Sequence, residues 1–166
     1  MLRIIAAVIF VLTGGIAGSA MADKLKRRQR ICSVIGSLLR RVSFLIGYRC
    51  DDVYSVCSEL RNDADFVSLS FLKALPVSYE KEGDFRTEWR SAVKMQRFCS
   101  DEENVLLRLG SIIGRSDING QLEAIRALET ELGEIEQNRN ETYLRMGRLY
   151  RSVGLLFGAA AGIIVI

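Results

Sequence analysis

Histidine is absent from the 166 residues of the chain, and with it goes a large share of enzyme chemistry. No Ser-His-Asp triad, no His-ligated zinc and no imidazole acid/base step can be built. Proline occurs once, at Pro76, so little in the chain is written to break a helix. Cysteine is sparse and scattered. Cys32, Cys50, Cys57 and Cys99 contain no CxxC pair and no metal-ligand spacing, and each sits among apolar or helical neighbours. All four are therefore expected as buried free thiols, a disulfide being open only in an oxidising compartment. Nothing marks a strand. Net charge is only +3, with bases and acids interleaved, which suits solvated helix faces better than a nucleic-acid surface.

Charge of either sign is also missing from two stretches, Ile4–Ala22 and Ser152–Ile166. The first holds 19 residues, which as helix nearly match a hydrocarbon core of roughly 30 Å. Only Arg3 precedes it, whereas Lys24, Lys26, Arg27, Arg28 and Arg30 follow it. A signal peptide carries its basic residues in front, so this order favours a retained transmembrane helix with the following domain in the cytoplasm. The alternative stays open, because "SAMA" offers small residues of the cleavable type. The second stretch has 15 residues, roughly 22 Å of helix, short of a full span unless Arg151 snorkels and the bilayer thins. Its basic flank, Arg145, Arg148 and Arg151, again lies on the side of the middle domain. Gly14 and Gly18, and Gly154, Gly158 and Gly162, recur at four-residue spacing. Such small-residue faces let membrane helices approach closely, within one chain or in a homo-oligomer. The expected organisation is a transmembrane helix over 1–22, a cytoplasmic helical domain over 23–151 and a short membrane segment over 152–166.

The middle reads as an all-α bundle of about six helices, the first and last continuous with the membrane segments. Three-and-four spacing runs from Leu25 through Ile31, Val34, Ile35, Leu38, Leu39, Val42, Leu45 and Ile46, ending at Gly47 and Tyr48. Asp51 is placed to cap "DVYSVCSELRN", and "ADFVSLSFLKAL" predicts a third helix ending at Pro76. Asp84 caps "FRTEWRSAVKMQRF", whose Trp89 reads as core. Ser100 and Glu103 have capping-box spacing. A last long helix follows the seam Ile125, Leu128, Leu132, Ile135, Arg139, Thr142, Met146, Leu149 and Val153.

"LLRLGSIIGRSDINGQLEAI", Leu106 to Ile125, joins the last two helices. A phosphate loop would follow a strand and carry a Lys-Ser/Thr pair; this stretch follows a helix and has no such lysine. Gly114 fits a left-handed helix end, and Ser116 or Asp117 an N-cap. Gly110 suits close helix packing, while packing leaves Gly120 and Gln121 without a reason. The stretch predicts a tight corner, and no catalytic, cofactor or metal residues stand out anywhere. The run "KLKRRQR" reads as an orientation signal and lipid-headgroup contact, with no nucleic-acid partner expected.

Leu109, Gly110, Ile113, Gly114, Ser116, Asp117, Gln121 and Ile125 form a pattern that resembles the signature region of the stage III sporulation protein AB family. Tyr48, Trp89 and the order of membrane helix, helical domain and apolar tail agree more loosely. The resemblance implies a non-enzymatic role in endospore formation. The protein would be a platform component of the channel between mother cell and forespore, in the mother-cell membrane facing the forespore, with its soluble domain in the cytoplasm. It further implies a helical domain similar to type II secretion inner-membrane platform proteins. The implied partners are the hexameric secretion-type ATPase stage III sporulation protein AA and other membrane proteins of the complex. Candidate partner contacts are Asp117 and Gln121 at the corner, and a charged face of Glu129, Glu131, Glu134 and Glu136. The alternative is an exported all-helical structural or interaction protein with a cleaved signal peptide.

Overall fold

A computed structural model describes residues 2–76, 78, 84–114 and 117–165, without the side-chain surroundings of residues 2–8, 10, 11, 14, 151, 155, 158, 162, 164 and 165. Five α-helices carry it: α1 (Leu2–Phe44), α2 (Val53–Asn62), α3 (Phe85–Met95), α4 (Ser100–Ile112) and α5 (Ile118–Val165). No strand occurs among the described residues. The chain divides into two compact units, residues 31–135 and a second made of residues 1–30 with 136–166.

The core of the 31–135 unit follows the three-and-four spacing of its helices. From α1 come Cys32, Ile35, Leu38, Leu39 and Val42, from α4 Val105, Leu106, Leu109 and Ile112, and from α5 Ile125, Leu128 and Leu132, all buried. Burying each Leu or Ile contributes roughly 1.5–3 kcal/mol relative to exposure, so this seam dominates the unit. Beyond Phe44 the backbone widens into a π turn, Leu45–Arg49, which buries Leu45 and Ile46. Cys50 then takes a left-handed conformation, φ 52°, and its N–H bonds the Leu45 carbonyl. Arg41 and Arg49 both reach Glu59, at 3.0 and 3.3 Å, fastening this end of α1 to α2. These pairs are part-exposed, so each adds at most about 1 kcal/mol.

Four local expectations need correction. "ADFVSLSFLKAL" is not a helix but two 3-10 turns, Ala64–Phe66 and Ser70–Ala74. Its apolar residues Phe66, Leu69, Phe71, Leu72 and Leu75 are all buried, and they do not fall on one helical stripe. A continuous helix would have turned some of them to solvent. The Gln96 side chain holds the irregular path, accepting from Phe71 N at 2.9 Å and donating to Ser68 O at 2.8 Å. Second, Asp52 rather than Asp51 caps α2, accepting from Tyr54 N, because the left-handed Cys50 delays the helix start. Third, α4 begins one residue earlier than the Ser100–Glu103 spacing predicts. Buried Glu102 accepts from Cys99 N at 3.0 Å, and three acids in the first turn favour that end of the dipole. Between Pro76 and Asp84 the polar stretch "PVSYEKEGD" reads as a turn-like loop, and it lies largely outside the described residues. α3 also stops at Met95, short of the expected Phe98, where Arg97 turns left-handed at φ 53°.

In the second unit the usual order of side chains is inverted. Gly18, Ala22 and Gly147 are buried, with Gly154 half-buried, while Ile9, Leu12, Ile16, Met21, Leu156, Phe157 and Ile163 are between 52% and 74% exposed. Small residues form the seam and large apolar ones the outside. A Cβ added at Gly147 would sit 3.9 Å from the Ala22 Cβ, ordinary contact between two closely approaching helices. Arg139 is half-buried; Thr142, Met146 and Leu149 are exposed. The seam expected over Ile125–Val153 therefore ends as a buried line before them, and Gly147 takes over.

Candidate functional site

On its described residues, the corner between α4 and α5 is held by several backbone and side-chain hydrogen bonds. Ile113 N bonds Leu109 O at 3.0 Å, closing α4, and Gly114 turns left-handed at φ +83°. A side chain there would be strained, and its Cβ would meet Val53 Cγ2 at 2.9 Å. The Gly114 N–H donates to Gln121 Oε1 at 3.2 Å. Gln121 is 5% exposed, so its amide is held inside the corner.

Asp117 begins α5. Its carboxylate accepts from Asn119 N at 3.2 Å and Gly120 N at 3.0 Å, and its own carbonyl accepts from Gln121 N. These bonds satisfy helix N–H groups that have no intrahelical partner. The carboxylate folds so closely over residue 120 that a Cβ there would lie 2.5 Å from Asp117 Oδ2. A side chain at residue 120 would oblige the Asp117 carboxylate to shift from this position. Ser116 lies outside the described residues.

Gly110 and Trp89 form a second determined contact. Trp89 is buried, and its Nε1–H donates to Leu106 O at 2.7 Å. The indole reaches that carbonyl by lying across residue 110, where an added Cβ would come 2.1 Å from Trp89 Cδ1. Phe71 and Phe85 hold the ring at centroid distances of 5.5 and 5.8 Å. Leu109 is also buried. Leu109, Gly110, Gly114 and Trp89 are thus architectural, and Asp117 is exposed, as are Gly114, Ile118 and Asn119 among the described residues of the corner.

The four glutamates of α5 do not make the single charged face expected of them. Steps of two residues turn a helix by about 200°, so Glu129 and Glu131 flank the buried seam on opposite sides. Glu131 is paired with Arg108, Glu134 is exposed, and half-buried Glu136 belongs to the other unit. Of the glycines expected to pack membrane helices, Gly18 is buried and Gly154 half-buried, while the surroundings of Gly14, Gly158 and Gly162 lie outside the description. Gly147 and Ala22 were missed. Their signal, a small residue amid polar neighbours at helical spacing, is legible only once the two segments are known to pack.

A shallow cavity of about 200 Å³ opens beside the corner, lined by Ile46, Cys50, Asp51, Asp52, Val53, Ile113, Gly114, Ile118 and Gln121. That is smaller than ligand sites of roughly 300–1,000 Å³. Among the described residues no group of three or more His, Cys, Asp or Glu could hold a metal ion. No disulfide joins the four cysteines; Cys32 and Cys57 are buried, Cys99 is half-buried and Cys50 is exposed, correcting the expectation of burial for the last two. Burial pushes the Cys57 thiol up to about 12, with Asp52 adding to the effect, so it stays protonated and unreactive.

The family model described as Stage III sporulation protein AB matches residues 3–166. No curated protein and no solved structure matches the chain.

Proposed function

Because the chain belongs to the stage III sporulation protein AB family, we propose that it is a membrane-anchored platform of the channel between mother cell and forespore. On this reading it couples a hexameric secretion-type ATPase, stage III sporulation protein AA, to the membrane complex and performs no chemistry itself. A part in sporulation comes with the family. The observation that supports membrane anchoring is the inverted unit of residues 1–30 and 136–166. Large apolar side chains on the outside suit lipid, and a seam of Gly18, Ala22 and Gly147 suits helices that associate without a hydrophobic drive.

Charge follows the same division. Residues 1–30 and 136–166 hold ten basic and three acidic side chains, against 13 basic and 17 acidic in residues 31–135. The bases gather at Lys24–Arg30 and Arg139–Arg151, beside the apolar stretches, as at a cytoplasmic membrane boundary. Within the described residues, Gly15–Arg49 is long and apolar enough to cross a membrane. Its second half carries core residues of the 31–135 unit, so the span assigned here is Ile4–Ala22, followed by a cytoplasmic domain. The exposed Asp117 is the corner residue assigned to partner contact; Glu134 is the corresponding residue on α5.

Two measurements test the reading. The full-length chain should stay with membranes at full mass, and the ATPase should co-purify with it in detergent. A shortened, soluble product would instead establish the exported alternative. Asp117→Asn keeps an oxygen for the cap, so loss of ATPase binding at unchanged melting temperature would identify Asp117 as a contact. Parallel loss of binding and stability would leave it a cap alone.

A further inference from the structure

We propose that the outward face of α3 is a docking surface for an acidic segment of a partner protein. Arg86, Arg90 and Lys94 recur every fourth residue and so form one stripe, and all three are exposed. Arg97, also exposed, extends the stripe beyond the helix end. Among the described residues the ion pairs engage Arg41, Arg49 and Arg108 and none of these four. Like charges at four-residue spacing repel along a helix. The stripe is the more conspicuous because residues 31–135 as a whole carry more acids than bases.

Two apolar side chains are exposed at the end of α3 and on the 3-10 segment tied to it. Met95 is 77% and Val67 67% exposed, and the two adjoin the Gln96–Ser68 hydrogen bond of 2.8 Å that ties α3 to the neighbouring 3-10 turns. Gln96 also accepts from Phe71 N, so both apolar groups stand on backbone that is held in place. Arginine and methionine are both enriched at protein interfaces relative to the rest of a surface. Charge complementarity fixes the occupant as a protein segment bearing carboxylates, with an apolar residue set against Met95 and Val67. Nucleic acid is disfavoured, since no exposed aromatic among the described residues alternates with the bases for stacking.

The surface is argued from charge and exposure and does not depend on which protein the platform reading names. The test installs a photo-cross-linker as Met95→p-benzoylphenylalanine, with Ser111→p-benzoylphenylalanine as control, in the full-length chain in the sporulating cell. The adduct peptide is then sequenced. The expected result is an adduct with a net-acidic segment of another protein, lost in Arg86→Glu/Arg90→Glu/Lys94→Glu at unchanged melting temperature. Should that variant misfold, Arg90→Gln/Lys94→Gln must still reduce the adduct. An adduct with lipid, nucleic acid, a second copy of the chain or a neutral or basic peptide overturns the proposal. So does none above the control, or one indifferent to the substitutions. An acidic adduct from a protein other than the ATPase keeps the surface and removes the ATPase reading. An ATPase that co-purifies without an adduct at position 95 does the reverse.

Discussion

Replacing Gly110 with alanine adds one methyl group at the most crowded point of the core. The new Cβ would lie 2.1 Å from Trp89 Cδ1 and 2.5 Å from Nε1, so the indole must move or α4 must. Neither is free, because Phe71 and Phe85 pack on the ring and Leu109 of α4 is fully buried. Overpacking a core costs about 1–3 kcal/mol, and a displaced indole leaves a buried N–H without its acceptor for about 1–3 more. Alanine recovers about 1 kcal/mol of helix propensity. The net expectation is a loss of roughly 3 kcal/mol, near 12 °C or more in melting temperature for a unit of this size. Far-ultraviolet dichroism of the full chain in detergent reads it, in a cycle with Trp89→Phe. The phenyl ring vacates part of the slot, so the double variant should lose clearly less than the two single losses added together. A Gly110→Ala protein as stable as the parent, or losses that simply add, would refute the argument that residue 110 is the seat of the indole.

Gln121→Ala leaves the Gly114 N–H without its acceptor and should cost about 1–2 kcal/mol, measured by denaturant midpoint. Gln121→Glu, which keeps an acceptor, should recover part of that. The Ser55 hydroxyl holds the Asp52 carboxyl, and the Thr87 hydroxyl the Asp84 carboxyl, below the usual 3.8. Both contributions are complete above that value and disappear as pH falls below it, so Asp52→Asn/Asp84→Asn should flatten the acid limb of a melting-temperature profile. Burial of Cys57 acts in the other direction, stabilising below the ordinary thiol value of 9.0 and losing that effect as pH rises towards about 12. Iodoacetamide at neutral pH should therefore modify Cys50 first and reach Cys32 and Cys57 only after unfolding, as peptide mass mapping would show.

Much of this architecture was legible because helices announce themselves by period. The stripe from Ile31 to Ile46 and the run Ile125–Leu128–Leu132 lie where spacing places them, and Trp89, Gly110 and Gly114 have the roles their types suggest. Local rules failed where a distant group decided the outcome. Gln96 holds the Ser68–Phe71 path from outside its own segment, so "ADFVSLSFLKAL" satisfied a helical pattern that the burial of Phe66, Leu69, Phe71, Leu72 and Leu75 overrode. The caps of α2 and α4 slipped by one residue because the left-handed Cys50 and the buried Glu102 are tertiary facts. Gln121 and Gly120 had no visible reason until the Gly114 N–H and the Asp117 carboxylate were placed. The glutamates of α5 follow a simpler rule, since spacing of two does not make one helical face.

The α4–α5 corner has a kinetic consequence. Its bonds join residues no more than seven apart: Gln121 to Gly114, and Asp117 to Asn119 and Gly120. Closing such short loops costs little chain entropy, whereas the Trp89–Leu106 bond joins residues 17 apart. The corner should form before the core consolidates around the indole. Gln121→Ala should then slow folding with little change in the unfolding rate, and Gly110→Ala should chiefly speed unfolding. Stopped-flow kinetics giving the opposite partition would place the nucleus elsewhere.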